Sequence, residues 1–477
     1  MRNTQLMLNF PNVERRFIPP PADVAIDSFF PEEEADKLAQ IESYNKHLFR
    51  PNTYLHKWWA RRSGVTFRYI LKQLSAKSDL RDFYTPGGLE GLTILDPMMG
   101  GATTLHEAIR LGANVIGYDV DPIPVLQARA SLTEISLQEK QAAFDPFLAK
   151  LEQTLSCYFE TSCPDCSGKS DMQFLLYGLR RRTDKEEAIF VDSFTLREEA
   201  NGDKKTIIDF YPSLEVTREN RTWSLIDKDE ARKRGINDKN SELLDIPFAD
   251  RYIPLVMMGK CAHHGQFFKS LDVNDLQNID AAASQAATRS IIPGKNGFRV
   301  PQGPKSNDLI ARGVTNFSEL FSHRQLIYLS EAKRGIDEAA PEHRLWLALL
   351  VSTSLEFNSM LCGYKGVDKR RPGAIRHVFS HHAYSFPCTA LENNPVFEAK
   401  TSGTLRNLFD KRILKAGIWA QAPVERRWSG AKWGKVIIDG ELDMGQECAT
   451  LDEFTGKTRP FMVRQNDSSA LPLPDQA

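Results

Sequence analysis

The stretch Leu92–Leu132, LTILDPMMGGATTLHEAIRLGANVIGYDVDPIPVLQARASL, constrains the fold of this chain more than any other. Leu92, Ile94 and Leu95 form a short apolar run that stops at Asp96-Pro97, the pattern of a buried parallel strand. Gly100-Gly101 lets the backbone turn sharply and approach a ligand closely. Thr103 or Thr104 is then suited to cap a helix on which Leu105, Ala108 and Ile109 recur at helical spacing, and Gly112 suits its end. Val115, Ile116 and Tyr118 predict a second strand that ends at Asp119. The result is strand, glycine turn, helix and strand, with an acid at each strand tip. In nucleotide-binding folds the acid at the second tip holds a ribose diol.

The turn argues against a nicotinamide cofactor. G-x-G-x-x-G, which seats a pyrophosphate on a helix N-terminus, is absent. The first strand ends in Asp96, whose carboxylate repels a pyrophosphate but accepts from an ammonium group. S-adenosylmethionine has an ammonium, a ribose diol and no phosphate. The competing reading is a generic α/β strand-turn-helix with an acidic loop. A ligand site is favoured because ligands bind at strand carboxyl ends in open α/β sheets.

These residues also resemble a known family. Asp96-Pro97-Met98-Met99-Gly100-Gly101-Ala102-Thr103-Thr104 resembles the D-P-F-x-G-x-G-T-T cofactor motif of amino-group DNA methyltransferases, with Met98 for Phe and Ala102 where many members have Gly. Tyr118-Asp119-Val120-Asp121-Pro122 resembles the G-x-D-x-N/D-P segment that follows it. The wider chain is similar in scattered blocks to adenine-specific DNA methylases with a DUF1156 region and a zinc ribbon. The resemblance implies that Asp96, Pro97, Met98, Gly100, Thr103 and Asp119 line the cofactor pocket.

Residues 54–62, Tyr-Leu-His-Lys-Trp-Trp-Ala-Arg-Arg, resemble the H-K-W-W/F-A-R-R block that precedes the cofactor strand in this branch. That makes His56, Lys57, Trp58 and Arg61 candidate pocket residues. The alternative is a helix with core Trp and solvated Arg, continuing through Val65 and Tyr69 to about Leu74. A further helix is expected from Leu132 to Leu155, bounded or kinked at Pro146.

Residues 157–267 read as an insertion. Cys163-Pro-Asp-Cys166 is a C-x-x-C knuckle, and Cys261-Ala-His-His264 gives a C-x-x-H pair. Four N or S ligands in paired knuckles suit tetrahedral zinc. Residues 167–260 separate the pairs, far more than a simple ribbon loop, so two unrelated Cys clusters stand as the alternative. Cys157 is a spare ligand, and His263 could replace His264. Arg180–Arg182 and Asp227–Arg234 are charge runs, read either as solvated faces or as DNA-facing loops.

Farther along, 291–314 is a Gly- and Pro-rich loop, and helices are expected from Asn316 and over Arg344–Met360. Lys369-Arg370-Arg371 and His381-His382 with Tyr384 mix cations and aromatics suited to a DNA cleft. The D/N/S-P-P-Y/F/W loop that aligns the target amine in the family is absent. Asn394-Pro395-Val396-Phe397 is the nearest string. Asp467–Asp475 resembles the segment that leads into the strand bearing that loop, so the chain is expected to be the first part of a split or interrupted methylase, inactive alone.

A formal net charge of -1 over 477 residues leaves any DNA contact to local basic patches. Seven Cys fit a reducing compartment, and neither a signal peptide nor a membrane span is evident, so a cytoplasmic protein is expected. The expected fold is α/β, a Rossmann-like S-adenosylmethionine-dependent methyltransferase core with an inserted α+β zinc-ribbon region. Expected divisions are an arm and helix over 1–50, the first part of the core over 51–156, the insertion over 157–315, and a mixed segment returning to the core over 316–477. The resemblance implies methylation of adenine N6 in double-stranded DNA, with S-adenosylmethionine and zinc as cofactors. Its implied partners are a second chain carrying the D-P-P-Y half and other defence-system proteins. The alternatives are a non-catalytic DNA-binding or complex-forming subunit of a bacterial defence system, and an RNA or protein methyltransferase.

Overall fold

The computed structural model describes residues 26, 30–43, 50–184, 186–201, 204–209, 215–218, 220–236, 243–288, 298–366, 373–380, 383–398 and 401–473. The arm with Pro19–Pro21, the cations Lys369–Arg371 and the pair His381-His382 lie outside them. Two compact units emerge, Met1–Lys140 with Lys411–Ala477, and Gln141–Asp410. The expected boundaries at 157 and 316 fall inside the second unit.

The first unit opens with helix α1 (Glu32–Ser43). A single 3-10 turn follows at Pro51–Tyr54, and helix α2 (Gly64–Lys72) begins only after Ser63, whose hydroxyl caps it. The His56–Arg62 block is therefore extended and irregular, not helical. Strand β1 (Thr93–Asp96), helix α3 (Thr103–Arg110), strand β2 (Asn114–Asp119) and helix α4 (Pro122–Leu132) then follow as expected. One detail differs. Ala102, not a Thr, sits at the N-cap of α3, in the left-handed conformation at φ 60, with no side-chain cap. A Cβ in that conformation costs about 1–2 kcal/mol, which a glycine avoids. A helix at Leu137–Leu155 runs through Pro146 without ending there.

The second unit is organised on a 14-residue strand, β4 (Lys169–Arg182). It pairs antiparallel with β3 (Glu160–Ser162), β5 (Tyr252–Cys261) and β7 (Thr389–Asn393), and β5 forms a hairpin with β6 (Gly265–Ser270). Phe174, Leu176, Leu255, Val256 and Leu391 pack on one another in its core. The expected helices are present as His323–Glu338 and Pro341–Ser354, the second ending six residues before the predicted Met360.

The chain returns to the first unit through a hairpin, β8 (Val424–Trp428) and β9 (Trp433–Ile437), then β10 (Gln446–Glu447) and β11 (Pro460–Gln465). The sheet is parallel throughout, in the order β1-β2-β11-β10. One face packs Ile94, Val115, Phe461 and Val463 against Leu105 and Ile109 of α3 and Val125 and Ala128 of α4. Gly117 permits this, since a Cβ there would fall 2.4 Å from Leu105 and 2.6 Å from Met99. Among the described residues β1 is an edge strand, and Leu95 on it is 41 % exposed, unlike the residues of a strand buried on both sides. Among the described residues no helix is long and apolar enough to cross a membrane.

Candidate cofactor cradle and metal cluster

Parallel pairing sets Asp96 opposite Gly117, so the tips of β1 and β2 stand side by side with Asp96 and Asp119 both half-buried. The Asp119 carboxylate joins them. One oxygen accepts from the Gly100 N–H at 2.9 Å, and the other accepts from the Asp121 N–H at 2.9 Å. Asp96 accepts from Met98 N–H at 3.1 Å, and the Met99 N–H donates to the Tyr118 carbonyl at 3.0 Å. The turn is thus pinned at both ends, and Gly100 takes φ +49 to make it.

Trp58 is the member of the preceding block that reaches the turn. A Cβ on Gly100 would lie 3.3 Å from its indole Nε1, and one on Gly101 3.2 Å from its Cδ1. That Nε1 is buried without a hydrogen-bond partner among the described residues. Lys57 lies 4.5 Å over the ring of Trp59, Arg61 lies 4.2 Å over the ring of Tyr54, and His56 Nδ1 is 3.2 Å from the Lys57 carbonyl. Met98 is 66 % exposed beside the turn, Pro97 is half-buried, and Thr103 is buried in the first turn of α3.

The tip of β11 adds a third wall that the sequence reading missed. Gln465 pairs with Asp119, the Asn466 N–H donates to the Asp119 carbonyl at 2.9 Å, and Gln465 Nε2 donates to the Val120 carbonyl at 2.9 Å. The apolar run PFMV before Arg464 was the available signal.

Behind the turn lies a buried ionic network. Arg110 on α3 reaches Glu107 at 2.6 Å, Glu425 at 2.8 Å and Glu441 at 3.0 Å. Arg50 pairs with Glu107 and with Glu425 at 2.7 Å, and Arg68 grips both oxygens of Glu441 at 2.6 and 3.0 Å. Burial would push the Glu425 carboxyl up, but Arg50 and Arg110 hold it below its usual value. Arg50 immediately precedes the turn at Pro51–Tyr54, so the network fixes the segment that delivers Trp58 to the glycines. Asp443 extends it, accepting from Asn52 and lying 2.8 Å from His106 Nδ1.

In the second unit, Cys163, Cys166, Cys261 and His264 present four ligand atoms within 4.8 Å of one another. Cys163 Sγ lies 3.6 Å from His264 Nδ1, Cys261 Sγ lies 3.7 Å from the same nitrogen, and Cys166 lies 3.8 Å from Cys261. Zinc–ligand bonds of about 2.3 Å to sulfur and 2.0–2.1 Å to nitrogen, held tetrahedrally, imply separations of roughly 3.8 and 3.6 Å. The cluster therefore fits a metal ion of zinc's kind. Antiparallel β4 and β5 bring the knuckles together, with Lys260 opposite Asp171, which is why the long separation in sequence is no obstacle. Each knuckle ends in a residue of positive φ, Ser167 at 56 and Gly265 at 73. Backbone N–H groups of His263 and His264 stabilise the Cys261 thiolate and bring its pKa down to about 6. His264, not His263, completes the set, and Cys157 stays outside it.

Over 87 residues, 18 % of this chain, the sequence is 34 % identical to the ubiquinone biosynthesis O-methyltransferase of Cereibacter sphaeroides, in each of three strains. That match covers 35 % of the relatives, so the chain spans about a third of the length of the curated proteins it matches. No family model and no solved structure matches it.

Proposed function

We propose that the first unit binds S-adenosylmethionine between the tips of β1 and β2, and that the chain serves a DNA methyltransferase acting on adenine N6. The observation that carries the first half is the Asp119 carboxylate, fixed by Gly100 and Asp121 with a lone pair still free on each oxygen. Those lone pairs suit the two hydroxyls of a ribose. Asp96 accepts from the Met98 N–H with one oxygen, and its charge suits an ammonium group. Trp58 packs on the glycine turn, and its buried indole N–H has no partner among the described residues. The bound cofactor supplies a methyl group made electrophilic by its sulfonium. The similarity to an O-methyltransferase supports methyl transfer in general. The choice of DNA and of adenine rests on the resemblance of the Asp96–Thr104 and His56–Arg62 blocks.

The outer edge of β1 bears on catalysis. Ligands in open α/β sheets bind at the crevice beside the strand where the order reverses. A strand supplied in trans along that edge would end next to Asp96, where a target amine has to meet the methyl group. The same open edge favours a second reading, a non-catalytic DNA-binding or complex-forming subunit.

Calorimetric titration with S-adenosylmethionine tests the cradle. Binding heat is expected from the wild-type chain, with at least a tenfold weaker affinity in Asp119→Ala, equivalent to about 1.4 kcal/mol or more. A thermal melt checks that the variant is folded. No heat from the wild-type chain at saturating cofactor would refute the assignment.

A further inference from the structure

Apart from the buried Glu425, the hairpin β8–β9 takes part in neither site. Its register sets Arg426 opposite Lys435 and Trp428 opposite Trp433, so these four side chains share one face of the ribbon. The two indoles lie 5.4 Å apart at 57°. Trp433 packs against the cluster of Leu38, Tyr69 and Phe83 and so anchors the ribbon, whereas Trp428 is 43 % exposed. Arg427 lies 4.8 Å over the ring of Tyr84, whose hydroxyl donates to the Arg426 carbonyl at 2.8 Å. The single acid of the hairpin, Glu425, is buried and engaged by Arg50 and Arg110. Among the described residues, Arg426, Arg427, Lys432 and Lys435 have no ion-pair partner.

A stiff two-stranded ribbon with four unpaired cations and an exposed indole suits one kind of partner. Cations without neighbouring acids gain most by neutralising phosphates. The major groove of DNA admits a two-stranded ribbon. An indole gains by packing on a base, which every sequence offers. An acidic polypeptide would satisfy the charges but give Trp428 no flat partner. We infer that β8–β9 is a DNA-contacting ribbon, with Arg426, Lys432 and Lys435 on backbone phosphates of a duplex and Trp428 packed on a base. The inference deepens the reading of DNA as substrate but uses no residue of the cradle.

Fluorescence anisotropy of the full chain with a labelled duplex of mixed sequence, over a range of salt, tests it. Arg426→Ala with Lys435→Ala should weaken binding at least tenfold and flatten the log–log salt slope by about 2, since each phosphate contact contributes roughly 0.9. Trp428→Ala should weaken binding by about tenfold with the slope unchanged, because packing on a base releases no counterions. Both variants should give the wild-type response to S-adenosylmethionine, which shows them folded and separates this test from that of the cradle. Wild-type affinity and slope in both variants would overturn the inference and leave the cofactor assignment standing. So would displacement of the duplex by poly-glutamate at matched charge, which would identify an acidic polypeptide as the partner.

Discussion

The cradle and the metal cluster reach similar precision by opposite routes. The cradle draws Asp96, Gly100, Asp119 and Asp121 from one short run of chain, and backbone N–H groups hold its acids in place. The cluster draws its ligands from two hairpins far apart in sequence, and only the β4–β5 pairing unites them. The chain's own hydrogen bonds position the acids of the cradle, so a ligand there would add affinity but little structure. The cluster brings three sulfurs and an imidazole together around a point suited to a cation, so a metal bound there would contribute directly to folding. The helix behind the cradle is stapled by ion pairs, which fill the role that metal coordination would have in the second unit.

The largest expected effect follows from that contrast. Apparent binding energies of structural zinc are about 10–16 kcal/mol, comparable with the whole stability of a domain. The purified chain should hold one zinc per molecule by elemental analysis. Chelation, or Cys163→Ser, should abolish hydrogen-exchange protection in β3, β5 and β6 while the amides of β1 and β2 stay protected. Equal protection before and after chelation would mean that the knuckles hold without metal, and the contrast would fail.

A smaller effect tests the other side. Glu441→Ala leaves Arg68 and Arg110 buried without one of their carboxylates. Breaking a buried pair by removing one partner costs about 3–5 kcal/mol, because the remaining charge stays desolvated. Urea titration of the first unit should register that loss. A loss below about 1 kcal/mol would show that water or a rearranged acid takes over, as at surface pairs.

The same contrast explains what could be read in advance. The strand–turn–helix–strand core was legible because its signals are local: apolar runs, Gly100-Gly101, and acids where the runs stop. The four metal ligands were legible as paired knuckles, Cys163 with Cys166 and Cys261 with His264, whereas the register of β4 against β5 that closes the long separation between them was not. The His56–Arg62 block suggested a helix because Trp and Arg suit one. The 3-10 turn at Pro51–Tyr54, preceded by the ion-paired Arg50, and the Ser63 cap decide otherwise. The ionic network was invisible, because isolated charges normally read as solvated and Arg50 finds its partners 57 and 375 residues away. The strand Pro460–Gln465 has a local signal, the apolar run Phe461–Val463, but nothing in that run tells that it pairs beside Asp119.

The smallest effect concerns pH. Lys72 of α2 is buried and donates to the carbonyls of Thr85 and Gly87 at 2.9 Å each, which fixes the loop ahead of β1. Burial, with the like charge of Arg68 added, lowers its pKa from 10.5 to about 8. Because the folded-state value lies below the unfolded one, the unfolded chain binds more protons between those limits, and stability rises with pH there. The cost of keeping Lys72 charged is therefore fully present below about pH 8 and is relieved as pH climbs toward 10.5. Lys72→Met removes the titrating group while keeping the aliphatic stem. The wild-type chain should gain on the order of 2 kcal/mol relative to this variant across that window, read as the difference between their urea midpoints. Parallel pH profiles would place the ammonium in water, and the loop ahead of the cradle would then owe its position to packing instead of to a buried cation.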